Sequence, residues 1–253
     1  MAKLTINNQT YEIDGILFDK DGTLLDFRSL WVNWAQEFIT RIISAAKLTE
    51  IERGRLSQSI GFQYDLKRWD PTGPLCIGSL NDLISILSLQ LYQNGFGWDE
   101  ALAIVTDAHD DTDQKNDWKD SIKAVSGLRQ LLAKAKACSL KLGVVTSDNH
   151  SQAIKHLKAL EIDLYFKSVI GHDQVERGKP YPDMVEKACE HLDLKPKHAL
   201  IIGDSNGDMV LGKKSGTVAS IGIVSEPTIT TSHLKNADHI IRSFDDIIIQ
   251  ENN

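Results

Sequence analysis

Cysteine is scarce in this chain, and long apolar runs are missing. Its 253 residues include three widely spaced cysteines, Cys76, Cys138 and Cys189, with no Cys-x-x-Cys pair. This pattern argues against a disulfide framework or a cysteine-rich zinc site and favours a reducing compartment. No segment approaches the ~18 apolar residues of a membrane-spanning helix. The first residues also lack the apolar stretch of a secretory signal, so we expect a cytoplasmic protein that does not bind membranes.

An excess of positive charge is missing as well. Lysine and arginine total 28 against 35 acidic residues, which gives a net charge of −7. Such a chain attracts nucleic acid poorly, because binding to a phosphate backbone depends on many cations. An acidic protein can still bind phosphate if it has a metal ion or a few well-placed cations. We therefore expect a small-molecule partner and no nucleic acid.

The order of the predicted elements divides the chain into two parts. Apolar strands alternate with helices over residues 1–25 and 116–253, which predicts an α/β domain with a Rossmann-like parallel sheet. Residues 26–115 show helical periodicity and no convincing strand, which predicts an all-helical domain inserted after the first strand of the sheet. The strands of the sheet are predicted near residues 15–18, 140–145, 165–170, 199–203, 217–223 and 239–241.

A hairpin and eight helices complete this scheme. Residues 4–13 are expected to form a polar hairpin that turns at Asn7 and Asn8. Helices of the inserted domain are predicted near residues 30–47, 49–60, 78–93 and 98–113. Helices of the α/β domain are predicted near residues 121–137, 150–160, 182–192 and 207–215.

Polar and acidic residues follow three of the predicted strands. Asp19 and Asp21 follow the first strand. Thr146 and Ser147 follow the second, and the acidic segment 204–208 follows a later one. Ligands of open α/β sheets bind beyond the carboxyl ends of the strands, so we expect these residues to meet. Carboxylates brought together repel one another, and a hard divalent cation such as Mg²⁺ relieves that repulsion.

These segments resemble the four motifs of the haloacid dehalogenase-like superfamily. Asp19-Lys-Asp-Gly-Thr-Leu24 resembles the first motif, and the other three are matched in order by Thr146, Lys179-Pro180 and Gly203-Asp-Ser-Asn-Gly-Asp208. The resemblance covers residues 12–25 and 116–225, and many members carry a helical cap where the insert lies. It implies a magnesium-dependent phosphatase similar to the phosphoglycolate phosphatases, acting on a small phosphorylated metabolite.

The resemblance also implies catalytic roles for three residues. Asp19 is the implied nucleophile, which forms an aspartyl-phosphate. Asp21 is the implied general acid for the leaving group and then the base that activates water. Lys179 is implied to hold both the nucleophile and the phosphate electrostatically.

Binding roles follow from the same resemblance. Thr146 and Ser147 are implied to contact the substrate, although Ser147 or Asp148 is better explained as the N-cap of a helix. Gly22 is expected to let backbone N–H groups approach the phosphate. Mg²⁺ is implied to bind the carboxylates of Asp19, Asp204 and Asp208 and the backbone carbonyl of Asp21.

Other functions stay open for this sequence. A phosphonate hydrolase would need an amine nucleophile from the insert, such as Lys47 or Lys67. A phosphomutase would need to pass the aspartyl-phosphate to a sugar, and a non-catalytic phosphate-binding protein could keep the same fold. A dehalogenase is disfavoured, because halide departure requires no acid such as Asp21. We expect a phosphoglycolate- or sugar-phosphate-type monoester as substrate and a monomer or homodimer.

Three expectations concern residues outside the motifs. Arg28 and the segment 69–78 are expected to contribute contacts to the substrate. The acidic cluster at 107–113 is interpreted as a solvated helix end rather than a metal site. The histidines outside that cluster show no ligand spacing and are expected at the surface.

Overall fold

The structure is a computed structural model, and it describes residues 1–115 and 122–251. The chain forms two compact units, Met1–Phe27 with Ile122–Asn253, and Arg28–Ser121. The predicted domain limits differ from these units by a few residues at each junction. The predicted helix start at residue 121 lies outside the described residues. Within the described ranges, no helix has both the length and the apolar character that a membrane crossing requires.

The described residues contain eleven strands. They are β1 Ala2–Ile6, β2 Gln9–Ile13, β3 Gly15–Phe18, β4 Phe62–Gln63, β5 Arg68–Trp69, β6 Lys141–Val145, β7 Ser168–Ile170, β8 Ala199–Gly203, β9 Ala219–Ile223, β10 His239–Ile241 and β11 Ile248–Glu251. Six of them form one parallel sheet in the order β10-β9-β8-β3-β6-β7. This sheet confirms the predicted α/β class with a Rossmann-like parallel core.

Strand β3 lies at the centre of this sheet, between β6 and β8. Its four residues are all buried, as expected for a continuous apolar run covered on both faces. Phe18 pairs with Val144 of β6 and with Ile202 of β8. The three strands run in the same direction, so their carboxyl ends meet at one edge of the sheet.

The N-terminal hairpin is confirmed, but it begins at Ala2 and buries one face of β1, so it is less polar than predicted. Its sheet also contains one strand more than predicted. β1 and β2 pair through a turn at Asn7 and Asn8, which both have positive φ, at 49° and 65°. β11 adds an antiparallel strand on the other side of β1. The sequence does not indicate β11, because its partner lies at the opposite end of the chain and only Ile249 in it is buried.

Two strands of the main sheet begin later than predicted. β7 begins at residue 168 because residues 163–165 form a 3-10 turn and the strand pairs only along β6. β9 begins at residue 219 because the N–H of Thr217 donates to the carbonyl oxygen of Gly212 and closes the preceding helix. Strand ends are therefore set by neighbouring hydrogen bonds rather than by apolar content.

The helices of the first unit flank this sheet. They span Leu128–Ala137, His150–Ala159, Asp183–Leu192 and Asn206–Ser215, with 3-10 turns at 163–165, 172–174, 196–198 and 244–246. The first of them begins at residue 128, so the prediction of helix over residues 122–127 is wrong. Gly127 before it has φ 77°, and the N–H of Val125 donates to the carbonyl oxygen of Leu24. The residues before 128 thus bond to the chain after β3.

The second unit is mainly helical. It contains a π-helical turn at Arg28–Val32 and helices Asn33–Ala46, Glu50–Ser59, Pro74–Ile77, Leu80–Gln93 and Trp98–Lys115. The prediction of no strand is wrong in one place, because β4 and β5 form a short antiparallel pair. Each has two residues, too few for an alternating pattern to show in the sequence. Arg28 lies over the ring of Trp69, at 5.0 Å from the centroid, within this unit.

Candidate active site

Three strand ends bring the motif residues to one edge of the sheet. Asp19 follows β3, Thr146 follows β6 and Asp204 follows β8. The N–H of Asp19 donates to Ile202 O at 2.8 Å, and the N–H of Thr146 donates to Ile170 O at 3.0 Å. These bonds continue the ladders of the sheet. The parallel register therefore holds the backbone of both residues in place.

Lys179 lies in a buried ion-pair group at this edge. Its Nζ lies 2.5 Å from Asp19 Oδ1 and 2.7 Å from Asp208 Oδ1. Burial works to lower the pKa of Lys179, but the Asp19 and Asp208 carboxylates outweigh it and hold the pKa above the ordinary value of 10.5. Lys179 therefore stays a cation in contact with the predicted nucleophile.

The start of helix Asn206–Ser215 orients Asp208. Ser205 Oγ donates to Asp208 Oδ2 at 2.6 Å, and the N–H of Ser205 donates to the same oxygen at 3.1 Å. The N–H of Asp208 donates in return to Ser205 Oγ at 3.3 Å, which completes a capping box. The capping box occupies Oδ2, so Oδ1 is the oxygen that pairs with Lys179.

Three carboxylates here form a group that fits a divalent cation. Asp19, Asp204 and Asp208 each offer an oxygen, and these oxygens lie within 4.8 Å of one another. Burial raises the pKa of Asp19 to about 6 although Lys179 lowers it, and Asp208 and Asp21 add to the rise. Burial, together with Asp19 and Asp208, raises the pKa of Asp204 well above 3.8. Such an excess of buried negative charge on oxygen donors suits Mg²⁺.

The Asp21 side chain is not part of this carboxylate group. Its Oδ1 accepts a hydrogen bond from Lys20 Nζ at 2.7 Å, and the side chain is 15% exposed. An accessible carboxylate two residues after the predicted nucleophile is placed to exchange protons near it. The predicted contact of Asp21 with a metal ion concerns its backbone carbonyl and stays a prediction.

Gly22 lies close to Asp204, in the turn that follows β3. The N–H of Gly22 donates to Leu25 O at 2.8 Å, because the chain reverses direction between these two residues. The expected approach of the neighbouring backbone N–H groups to phosphate stays a prediction. Gly22 has φ 80°, and a Cβ added to it would collide with the Asp204 carboxylate. Its lack of a side chain therefore makes room for the carboxylate group.

Thr146 lies at the end of β6, at the same edge of the sheet as Asp19, and Ser147 follows it. Thr146 is 1% exposed, and its Oγ1 accepts a hydrogen bond from the N–H of Asp148 at 3.1 Å. The hydroxyl proton of Thr146 is thereby left to donate elsewhere, as the predicted phosphate contact requires. Neither Ser147 nor Asp148 is the helix N-cap, since Asn149 holds that position and makes no side-chain cap.

A second buried network, which the motifs did not predict, lies next to Asp21. Lys20 is completely buried, and its Nζ contacts Asp21, Asp148 and His156. His156 is 1% exposed, so the expectation of a surface histidine is wrong for this residue. A signal was present in the sequence, because His156 shares the apolar face of its helix with Ala153 and Leu160, at spacings of three and four residues.

Other candidate residues belong to the second unit. The cluster at 107–113 falls on helix Trp98–Lys115, where His109 Nδ1 lies 2.9 Å from Asp110 Oδ1. Within the described ranges, no three side chains of this cluster bring possible metal-ligand atoms within 4.8 Å of one another. The guanidinium of Arg28 donates to Lys67 O at 3.3 Å. Its predicted contact with the substrate stays a prediction.

Curated relatives match part of the chain. A pyrophosphatase PpaX from Anoxybacillus flavithermus is 42% identical over 77 residues, which is 30% of this chain and 36% of the relative. A pyrophosphatase PpaX from Bacillus mycoides is 39% identical over a stretch of the same length and coverage. The chain thus spans about a third of the length of the curated relatives it matches.

Solved structures match nearly the whole chain. A haloacid dehalogenase phosphatase from Thermococcus onnurineus superposes with a TM-score of 0.65 at 22% identity, over 92% of this chain and 95% of that one. A β-phosphoglucomutase from Clostridium difficile does so with a TM-score of 0.62 at 18% identity, over 92% of both chains. At such identities the likeness shows a shared fold. The profile of the haloacid dehalogenase-like hydrolases matches residues 13–216, most of the chain, and the protein therefore belongs to that family.

Proposed function

We propose that the protein is a magnesium-dependent phosphatase that hydrolyses a small phosphate monoester through an aspartyl-phosphate on Asp19. The observation that carries this proposal is the buried Asp19 carboxylate in contact with Lys179, beside Asp204 and Asp208. A carboxylate attacks an anionic phosphoryl group only where cations offset the repulsion between them. Lys179 supplies one cation, and Asp19, Asp204 and Asp208 would hold a second.

The first step transfers the phosphoryl group to the protein. An oxygen of Asp19 forms a bond to phosphorus while the bond between phosphorus and the leaving oxygen breaks. Asp21 donates its proton to that oxygen, so the product leaves as a neutral alcohol. Lys179 and the Thr146 hydroxyl stabilise negative charge on the phosphoryl oxygens. Mg²⁺, when bound, supplies further neutralisation of that charge.

The second step returns the protein to its starting state. Asp21, now a carboxylate, takes a proton from water. The water oxygen attacks phosphorus, and the bond between phosphorus and Asp19 breaks. Inorganic phosphate leaves, and Asp21 again holds the proton for the next cycle. A single carboxyl group therefore serves as acid and then as base.

Pyrophosphate is a second candidate substrate alongside phosphoglycolate and sugar phosphates. It is favoured by the two relatives named as pyrophosphatases, at 42% and 39% identity over 77 residues. A phosphonate hydrolase is disfavoured, because Lys47 and Lys67 are both exposed. An amine nucleophile is usually activated by removal from water.

The test is phosphate release from a panel containing phosphoglycolate, sugar phosphates and pyrophosphate, with and without Mg²⁺. We expect magnesium-dependent turnover in the wild type and none in Asp19→Asn, which keeps the shape but removes the nucleophilic charge. Asp14→Asn makes the same change just before β3, at the opposite end from Asp19, and should behave as wild type. Turnover that survives in Asp19→Asn, or a folded wild type inactive on every substrate, would overturn the proposal.

A further inference from the structure

Lys20 separates the proposed nucleophile Asp19 from the acid–base residue Asp21, and its side chain is 0% exposed. A lysine is rarely buried unless its ammonium group is paired. Its Nζ lies 2.7 Å from Asp21 Oδ1, 2.9 Å from His156 Nδ1 and 3.1 Å from Asp148 Oδ2. The three N–H groups of the ammonium thus face three acceptors that converge from two strand ends and a helix.

The contact between Lys20 and His156 identifies the tautomer of the imidazole. An ammonium group has only N–H donors, so His156 Nδ1 must be the acceptor. The imidazole is therefore neutral and carries its proton on Nε2. An imidazolium at this position would direct an N–H at an ammonium. The burial of the ring agrees with the neutral form, because burial penalises a charge.

Asp148 connects Lys20 to the loop that holds Thr146. The N–H of Asp148 donates to Thr146 Oγ1 at 3.1 Å. Asp148 Oδ1 accepts from the N–H of Asn149 at 2.8 Å, while Oδ2 pairs with Lys20. Lys20 therefore joins the end of β3, which carries Asp21, to the end of β6, which carries the proposed phosphate contact.

We infer that Lys20, Asp148 and His156 form a positioning network that holds the Asp21 carboxylate in register with the Thr146 loop during both proton transfers. This inference rests on the proposed function. Lys20 engages Asp21 Oδ1, which leaves Oδ2 as the oxygen that gives and takes the proton. The network acts through Asp21 and Thr146, so its three members are positioning residues rather than catalytic ones.

The first experiment compares Lys20→Met with wild type, with p-nitrophenyl phosphate as the probe. Nitrophenolate is a good leaving group that needs little help from an acid, so formation of the aspartyl-phosphate should largely survive. Hydrolysis of that intermediate needs Asp21 as a base and should become slow. We expect a burst of one equivalent of nitrophenolate, then a kcat about 10²-fold below wild type with a KM that falls in parallel. A folded variant without a burst and with wild-type kcat would overturn the inference.

Matched variants distinguish a loss of positioning from the loss of a surface charge and from a failure to fold. Lys155→Met removes an exposed lysine of helix His150–Ala159 and should keep wild-type kinetics. If Lys20→Met does not fold, the double variant Lys20→Met/Asp148→Asn removes the uncompensated carboxylate and should show the same burst. His156→Gln keeps an acceptor for Lys20, whereas His156→Leu removes it, so the leucine variant should lose more turnover. Equal kinetics in that pair would contradict the role given to His156.

A second readout needs no activity. Nitrogen NMR of the wild-type imidazoles should show His156 as the neutral tautomer protonated on Nε2, and Lys20→Met should change its shifts. A His156 protonated on Nδ1 would overturn the network. If the wild type is inactive on every phosphate ester but His156 shows the expected tautomer, the proposed function is contradicted. The geometry of the network is then still supported. An active wild type with the wrong tautomer would contradict the network alone.

Discussion

Gly22 and Asp204 are in contact across the site, so close that a Cβ on Gly22 would overlap the Asp204 carboxylate. Gly22 belongs to the loop after β3, and Asp204 follows β8. Gly22 also has φ 80°, a conformation that residues with a Cβ rarely adopt. The two loops that carry the proposed nucleophile and a proposed metal ligand therefore pack through a position that requires glycine.

Replacing Gly22 by alanine should displace Asp204 and weaken the binding of Mg²⁺. The left-handed backbone alone costs about 1–2 kcal/mol, and the overlap adds to this cost. Gly216→Ala is a matched control, because Gly216 has φ 71° and open space where its Cβ would lie. Calorimetric Mg²⁺ titration and thermal unfolding of both variants make the comparison. Equal Mg²⁺ affinity in the two variants would contradict the proposed role of this contact.

Removing the Lys179 ammonium should destabilise the protein. In Lys179→Met, Asp19 and Asp208 lose their shared cation in a buried site, and breaking such a pair costs about 3–5 kcal/mol. Urea unfolding in the absence of divalent ions measures this loss, and added Mg²⁺ should restore part of it. Lys187→Met is the control, since it removes a hydrogen bond to Gln174 O, worth about 1 kcal/mol. A loss no larger than that of the control would argue against the ion-pair group.

The raised pKa of Asp19 predicts a pH dependence for the metal-free protein. This pKa rises from 3.8 to about 6 on folding, mainly through burial, so the folded state binds the proton more tightly than the unfolded state. The contribution of Asp19 to the free energy of unfolding is fully present below pH 3.8 and is lost as the pH rises through about 6. A cation needs the carboxylate, so the Mg²⁺ concentration at half-saturation should fall over the same range. Mg²⁺ titrations at several pH values, beside Asp19→Asn, test this trend.

The buried His156 predicts a pH dependence of opposite sign. Burial, with Lys20 and Lys155 nearby, lowers the pKa of His156 from 6.5 to about 2. The unfolded chain therefore binds a proton below pH 6.5 that the folded protein does not, and stability falls as the pH falls. Protonation of His156 in the unfolded chain lowers the free energy of unfolding by about 2 kcal/mol at about pH 5. His156→Gln should lose less stability than wild type on acidification, measured by urea unfolding. Identical slopes in both proteins would argue against a neutral buried ring.

The sequence alone determined the sheet domain and the candidate site residues. Continuous apolar runs identify the strands of a sheet covered on both faces, and acidic or hydroxyl residues directly after them mark its carboxyl edge. The hairpin turn was evident from Asn7 and Asn8, residues that tolerate positive φ. These features depend on residues that are close together in the sequence. They can therefore be predicted without knowing which helices and strands pack together. Two-residue strands such as β4 fall below the length at which such a pattern exists.

Only the tertiary structure decided which of these side chains contact one another. Lys20 and His156 are 136 positions apart, and their hydrogen bond exists because β3 and β6 are neighbours in the sheet. The pairing of Lys179 with Asp208 Oδ1 likewise depends on a capping box that occupies the other oxygen. The late start of helix Leu128–Ala137 follows from bonds to the chain after β3. Such contacts arise from strand order and register, which local sequence patterns do not specify.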